Sequence, residues 1–171
     1  MRSARLLLVL VLMTAAAGSG WLYAQQSRPY AILSQQDYYE IDQLVKGYTH
    51  GVDVGPEDAS WVYTPDGEYF SVYTKRTTKG EKALKEMYTR LRKTNESKKI
   101  NHLLTNLVVT PTADGAAGSV YLTELQPDDK SSMPTIIRFG RYYDTYVRTS
   151  QGWRIKRREF HQQAPAETAA P

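Results

Sequence analysis

Apolar residues recur at helical spacing in two stretches of the chain. Ile41, Leu44, Val45 and Tyr48 fall at i, i+3, i+4 and i+7 and form one stripe, and Leu84, Met87, Tyr88 and Leu91 repeat the pattern. The first helix should begin at Ser34, where Ser34 and Asp37 form a reduced capping box, and stop at Gly51, with Asp53 just beyond. The second should open on the capping box Thr78-Lys79-Gly80-Glu81, and Arg90, Arg92 and Lys93 suit its negative C-terminal end. Between them, Gly55-Pro56-Glu57-Asp58 predicts a shorter helix carrying Trp61 and Val62. Pro65-Asp66-Gly67 predicts a turn, and Glu68 to Thr74 a strand with Tyr69, Ser71 and Tyr73 on one face.

Beyond the second helix the period drops to two. Lys99 to Val109 reads as a strand in which Ile100, His102, Leu104, Asn106 and Val108 share one face. That face is apolar except for one imidazole and one amide, which must find partners inside the fold or line a cavity. Asp114-Gly115 predicts a hairpin, Gly118 to Gln126 its return strand, and Pro127 to Pro134 a loop. Ile136 to Thr149 is a long strand, Ser150-Gln151-Gly152 a turn, and Trp153 to His161 the last strand. Helices first and a strand meander last predict an α+β domain over 34–161, with a curved antiparallel sheet closed by helices.

The two ends have their own character. Arg2 and Arg5 precede an apolar and small-residue run from Leu6 to Ala17, followed by further small residues and Ala24-Gln25. This is the layout of a signal peptide at 1–24, cleaved after Ala24, which implies a secreted or periplasmic product with no stable membrane span. An uncleaved anchor is the alternative, weakened by Gly18, Ser19 and Gly20. Residues 25–33 read as a polar lead-in and 162–171 as a disordered Ala/Pro/Gln-rich tail.

Composition narrows the chemistry. The chain of 171 residues has no cysteine, hence no disulfide and no thiolate chemistry. Its net charge of +4 falls to +2 once Arg2 and Arg5 are removed, too little to call for a nucleic-acid partner. His50, His102 and His161 show no ligand spacing, so no metal is expected, and no glycine loop or nucleophile elbow points to a cofactor or to phosphoryl transfer. Asn95-Glu96-Ser97 fits a glycosylation acceptor, a triplet that arises often by chance. With 13 Tyr against 3 Phe, most aromatics carry a polar handle suited to a lined pocket.

The order of elements, with Tyr48-x4-Asp53, Thr64-Pro65-Asp66-Gly67, His102-x3-Asn106, Asp114-Gly115-Ala116 and Gly140-Arg141-Tyr142-Tyr143-Asp144 through to Gly152-Trp153-Arg154-Ile155, resembles the SnoaL-like branch of the nuclear-transport-factor-2-like superfamily. The resemblance runs from about Ser34 to Glu159. It implies a cone-shaped, cystatin-like α+β barrel whose curved sheet wraps N-terminal helices around a pocket. It also implies a scytalone-dehydratase-like pattern, in which Asp53 orients His102 and His102 handles a proton. That pattern is incomplete: its second histidine falls near Tyr121, and its pocket tyrosines fall on Val52 and near Ser71.

A carboxylate bonded to one imidazole nitrogen fixes the tautomer and raises the basicity of the other, which is then free to move a proton. The expected catalytic set is therefore His102, Asp53 and Tyr121, the last polarising a substrate oxygen. Asn106, Tyr69, Tyr142 and Asp144 are the expected substrate-binding residues, Asp144 either as a second acid or paired with Arg138, Arg141 or Arg148. The expected partner is a small apolar or aromatic molecule, with a homodimer through the sheet as a further association. The competing function is a non-catalytic binding or assembly module of the same fold.

Overall fold

The computed structural model describes residues 32–163, except Asp129 and Ser132. The expected leader, residues 25–31 of the lead-in and residues 164–171 of the tail lie outside the described residues. Helix α1 (Gln35–Asp53) starts on the expected box: Asp37 N–H donates to Ser34 Oγ at 3.1 Å, and Ser34 N–H donates to an Asp37 carboxylate oxygen at 2.8 Å. The helix does not stop at Gly51. A Cβ there would meet the Ala59 Cα at 2.8 Å, so the glycine permits close approach rather than termination. Asp53 is consequently the last helical residue, not the first beyond the helix. The shorter helix expected at Gly55 is a single 3-10 turn, Ala59–Val62, capped by the Asp58 carboxylate.

Strand β1 (Tyr63–Ser71) runs straight through Pro65-Asp66-Gly67, which form a register irregularity against β6 and not a turn. Strand β2 (Arg76–Lys79) takes up Thr78, so the expected box is not made: α2 (Glu81–Lys98) is capped by Gly80, at φ +85°, without a side-chain bond. Strands β3 (Asn101–Thr112), β4 (Gly115–Gln126), β5 (Thr135–Thr149) and β6 (Gly152–Gln162) follow as the expected meander. The six-stranded sheet has the order β2-β1-β6-β5-β4-β3. β1 pairs with β6 in parallel and every other neighbour is antiparallel, so the curved, open sheet is mixed rather than wholly antiparallel. The α+β cone-like architecture is the one expected.

The core lies between the helices and the concave face. Ile41, Leu44, Tyr48 and Val52 of α1 and Leu84 and Tyr88 of α2 meet Val120, Leu122, Tyr142, Tyr146, Ile155 and Phe160 of the sheet. Each such buried side chain contributes about 1.5–3 kcal/mol of transfer free energy. Asn95 is 2 % exposed and its amide donates to the Val52 carbonyl at 3.0 Å, so it is a tie between α2 and the end of α1 rather than a glycan acceptor.

One local break decides the site. β3 carries a bulge between Thr105 and Val108, with Asn106 in the left-handed region at φ +56°. Asparagine tolerates that conformation better than a branched residue does. Beyond the bulge the strand changes parity: Leu107 and Val109 pack against the core, while Val108 is 58 % exposed. Asn106 is exposed whereas His102 is buried, so the two do not form the expected polar pair on one face.

Candidate functional site

The last residue of α1 reaches the first residues of β3. Asp53 Oδ2 accepts the His102 backbone N–H at 2.7 Å, and Asp53 Oδ1 lies 2.7 Å from the His102 ring Nδ1. Asp53 is 7 % exposed and His102 6 %. A buried acid and a buried imidazole thus satisfy one another, as low dielectric requires.

The second ring nitrogen is not free. Nε2 lies 3.3 Å from Glu124 Oε1, and Arg138 Nη1 donates to the same oxygen at 2.6 Å. Strand register builds this row: His102 pairs with Glu124 across β3–β4, and Glu124 with Arg138 across β4–β5. Burial alone would lower the His102 pKa. Interactions with Asp53 and Glu124 outweigh it and raise the value from 6.5 to about 9, so the ring is a held imidazolium at neutral pH. Burial likewise works against ionised Glu124, yet His102 and Arg138 outweigh it and hold the carboxyl below its usual range.

This row forms the polar end of a cavity of about 360 Å³. Tyr48, Tyr69, Tyr88, Tyr142, Phe160, Met87 and Leu91 supply its apolar and aromatic walls. Tyr48 and Tyr142 bring their hydroxyls within 3.1 Å of each other and pack edge to face. Burial raises the pKa of both phenols, so both remain protonated donors. Arg90, Thr94 and Arg138 line the outer rim. Among the described residues no cluster of His, Cys, Asp and Glu is placed to hold a metal ion, and no helix is long and apolar enough to cross a membrane.

The family model for the SnoaL-like domain matches residues 34–159, most of the chain. The chain belongs to the SnoaL-like family. Solved structures with the same fold include a nuclear-transport-factor-2-like protein with a cystatin-like fold from Novosphingobium aromaticivorans, 26 % identical, covering 78 % of this chain and 86 % of that one at a TM-score of 0.68. A protein of unknown function with a cystatin-like fold from Nostoc punctiforme is 18 % identical, covering 80 % and 97 % at a TM-score of 0.66. A protein proposed to be a scytalone dehydratase from Novosphingobium aromaticivorans is 19 % identical, covering 79 % and 89 % at a TM-score of 0.57. No curated protein sequence matches the chain.

In this SnoaL-like domain the expected residues divide. Asp53 and His102 are in contact, and Tyr69 and Tyr142 line the cavity with His102. Tyr121 is placed elsewhere. Its strand neighbours Val120 and Leu122 point into the core, so Tyr121 faces outward, stacked on Phe139 and bonded to Arg141. Asp144 does not line this cavity and pairs with none of the three arginines expected. It is 4 % exposed and binds Arg158 through Nε and Nη2, both at 2.7 Å, and the Tyr146 hydroxyl at 2.8 Å. Arg158, fully buried, is sandwiched between the Tyr48 and Tyr142 rings at 4.2 and 4.3 Å.

The residues that sequence reasoning missed are Glu124, Arg138 and Tyr48 as site groups. Glu124 carried a readable signal: it alternates with Val120 and Leu122, which puts a carboxylate on the buried face of β4. Its partner was hidden by the bulge. From Thr112↔Gly115 to Val108↔Ser119 the hairpin pairs in one register, which extended would set His102 against Leu125; the bulge shifts it by one residue onto Glu124.

Proposed function

We propose that this SnoaL-like domain binds a small aromatic or apolar molecule in the tyrosine-lined cavity and moves a proton within it, with Glu124 as the proton acceptor. One observation carries the reading. Glu124 Oε1 is engaged by His102 and Arg138, while no described residue donates a hydrogen bond to Oε2, and Glu124 lines the cavity. His102, already protonated, is a fixed positive neighbour rather than the base. Asp53 positions it.

A carboxylate held ionised removes a proton next to a carbonyl only where the resulting enolate is stabilised. The Tyr48 and Tyr142 hydroxyls share one hydrogen bond, and whichever of them accepts it keeps its own proton to donate to the developing oxyanion. The C–H electron pair becomes the enolate and the proton resides on Glu124. Returning the proton to another carbon completes an isomerisation. Delivering it to a departing β-hydroxyl releases water and completes a dehydration. The leader read at residues 1–24 would place this chemistry outside the cytoplasm.

The test is deuterium exchange at the α-carbon of tetralone, an enolisable aryl ketone, followed by NMR. The full chain should accelerate exchange, Glu124→Gln should lose about 10²–10⁴-fold, and Tyr142→Phe should lose less. Exchange unaltered in Glu124→Gln contradicts the assignment. A second reading is binding without turnover, favoured by the closure of every ionised group of the row in an ion pair. It predicts that tetralone binds but does not exchange.

A further inference from the structure

The charges around the cavity do not balance at its rim. Asp53 offsets His102 from behind, and Glu124 offsets Arg138. Arg90 lines the same cavity from α2, is exposed, and makes no ion pair with any described residue. Arg138 commits Nη1 to Glu124, and its side chain keeps 42 % exposure. Both guanidinium groups thus belong to the lining of a cavity whose walls are tyrosine, phenylalanine and leucine, and both belong to solvent-accessible side chains. Guanidinium forks match carboxylate geometry and bind it through charge-assisted hydrogen bonds.

Resting on the aromatic-pocket reading above, we infer that the domain selects anionic aromatic ligands, whose acid group docks between Arg90 and Arg138 while the ring enters the tyrosine-lined cavity. Neutral ligands of the same shape lose that anchor. Arg90 is a specificity residue in this arrangement; it stands apart from the proton-transfer row and touches none of its members through an ion pair.

The experiment is calorimetric titration of the full chain with naphthoate and with its neutral isostere naphthamide. The unmodified protein should bind naphthoate about tenfold more tightly, a preference that added salt reduces. Arg90→Gln should bring the ratio to within about threefold, Arg90→Lys should keep most of it, and Lys93→Gln, on the same helix but outside the lining, should leave it intact. Arg90 is exposed, so its replacement leaves the core undisturbed. Naphthamide binding as tightly as naphthoate overturns the inference and leaves the aromatic pocket standing. A preference undiminished by Arg90→Gln, or lost equally in Lys93→Gln, overturns the assignment to Arg90. Failure of both probes to bind overturns the pocket reading and this inference with it.

Discussion

A single carboxylate, Asp53, holds both the backbone and the ring of His102, with each of its oxygens at 2.7 Å from a nitrogen. The contact joins the end of α1 to the start of β3 and sets the ring's orientation before any ligand arrives. Replacing Asp53 by Asn removes the charge while keeping the shape. The His102 pKa should then fall from about 9 toward 6.5 by NMR titration. The fold should lose about 3–5 kcal/mol in urea unfolding, because a buried ion pair is broken from one side. An unmoved titration would mean that Asp53 is a spectator.

Stability should depend on pH with a definite sign. The folded His102 pKa is raised, so its stabilisation is fully present below 6.5 and lost as pH rises through about 9. Full loss amounts to about 3 kcal/mol. Glu124 is shifted the other way, so its contribution is present above 4.5 and lost as pH falls below its depressed folded value. Urea midpoints measured from acid to alkaline pH should therefore be highest in the mildly acidic range and decline toward alkaline pH. His102→Gln should flatten the alkaline limb.

The Asp144–Arg158 pair lies deeper, with both side chains sealed from solvent. Asp144→Asn leaves a guanidinium uncompensated between two tyrosine rings and should cost about 3–5 kcal/mol. Asp144→Leu combined with Arg158→Met removes both charges and should recover much of that loss. A double variant no better than Asp144→Asn would show that tyrosine stacking, not charge, holds Arg158 in place.

Gly51 supports the site indirectly. Adding a Cβ would bring it to 2.8 Å from the Ala59 backbone and push the 3-10 turn away from the end of α1, two residues before Asp53. Gly51→Ala should destabilise by about 1–3 kcal/mol, the usual cost of overpacking, despite alanine's better helix propensity. A stabilised variant in thermal unfolding would contradict the close packing.

Much of the fold was legible because periodicity reports burial directly. The stripes through Ile41 to Tyr48 and Leu84 to Leu91 marked both helices, and period-two runs marked β3 to β6. Glycine and proline signals were less reliable. Gly51 serves packing, and Pro65-Asp66-Gly67 sit inside a strand, because tertiary contacts overrode local preference. The Asp53–His102 contact was anticipated from the resemblance and is present. Glu124 was not, because one bulge at Asn106 altered which residue faces His102, and such a shift has no signature in hydrophobic periodicity. Tyr121 was assigned by position in a pattern, but strand parity turns it to the outer face.

The central claim is that His102 is a held cation between Asp53 and Glu124, leaving Glu124 as the group that meets the ligand. Nitrogen-15 NMR of the His102 ring at neutral pH tests this most directly. Both ring nitrogens should be protonated, with the charge lost only as pH approaches about 9. A neutral single tautomer at neutral pH, with Nε2 unprotonated, would contradict it and return the proton-accepting role to His102.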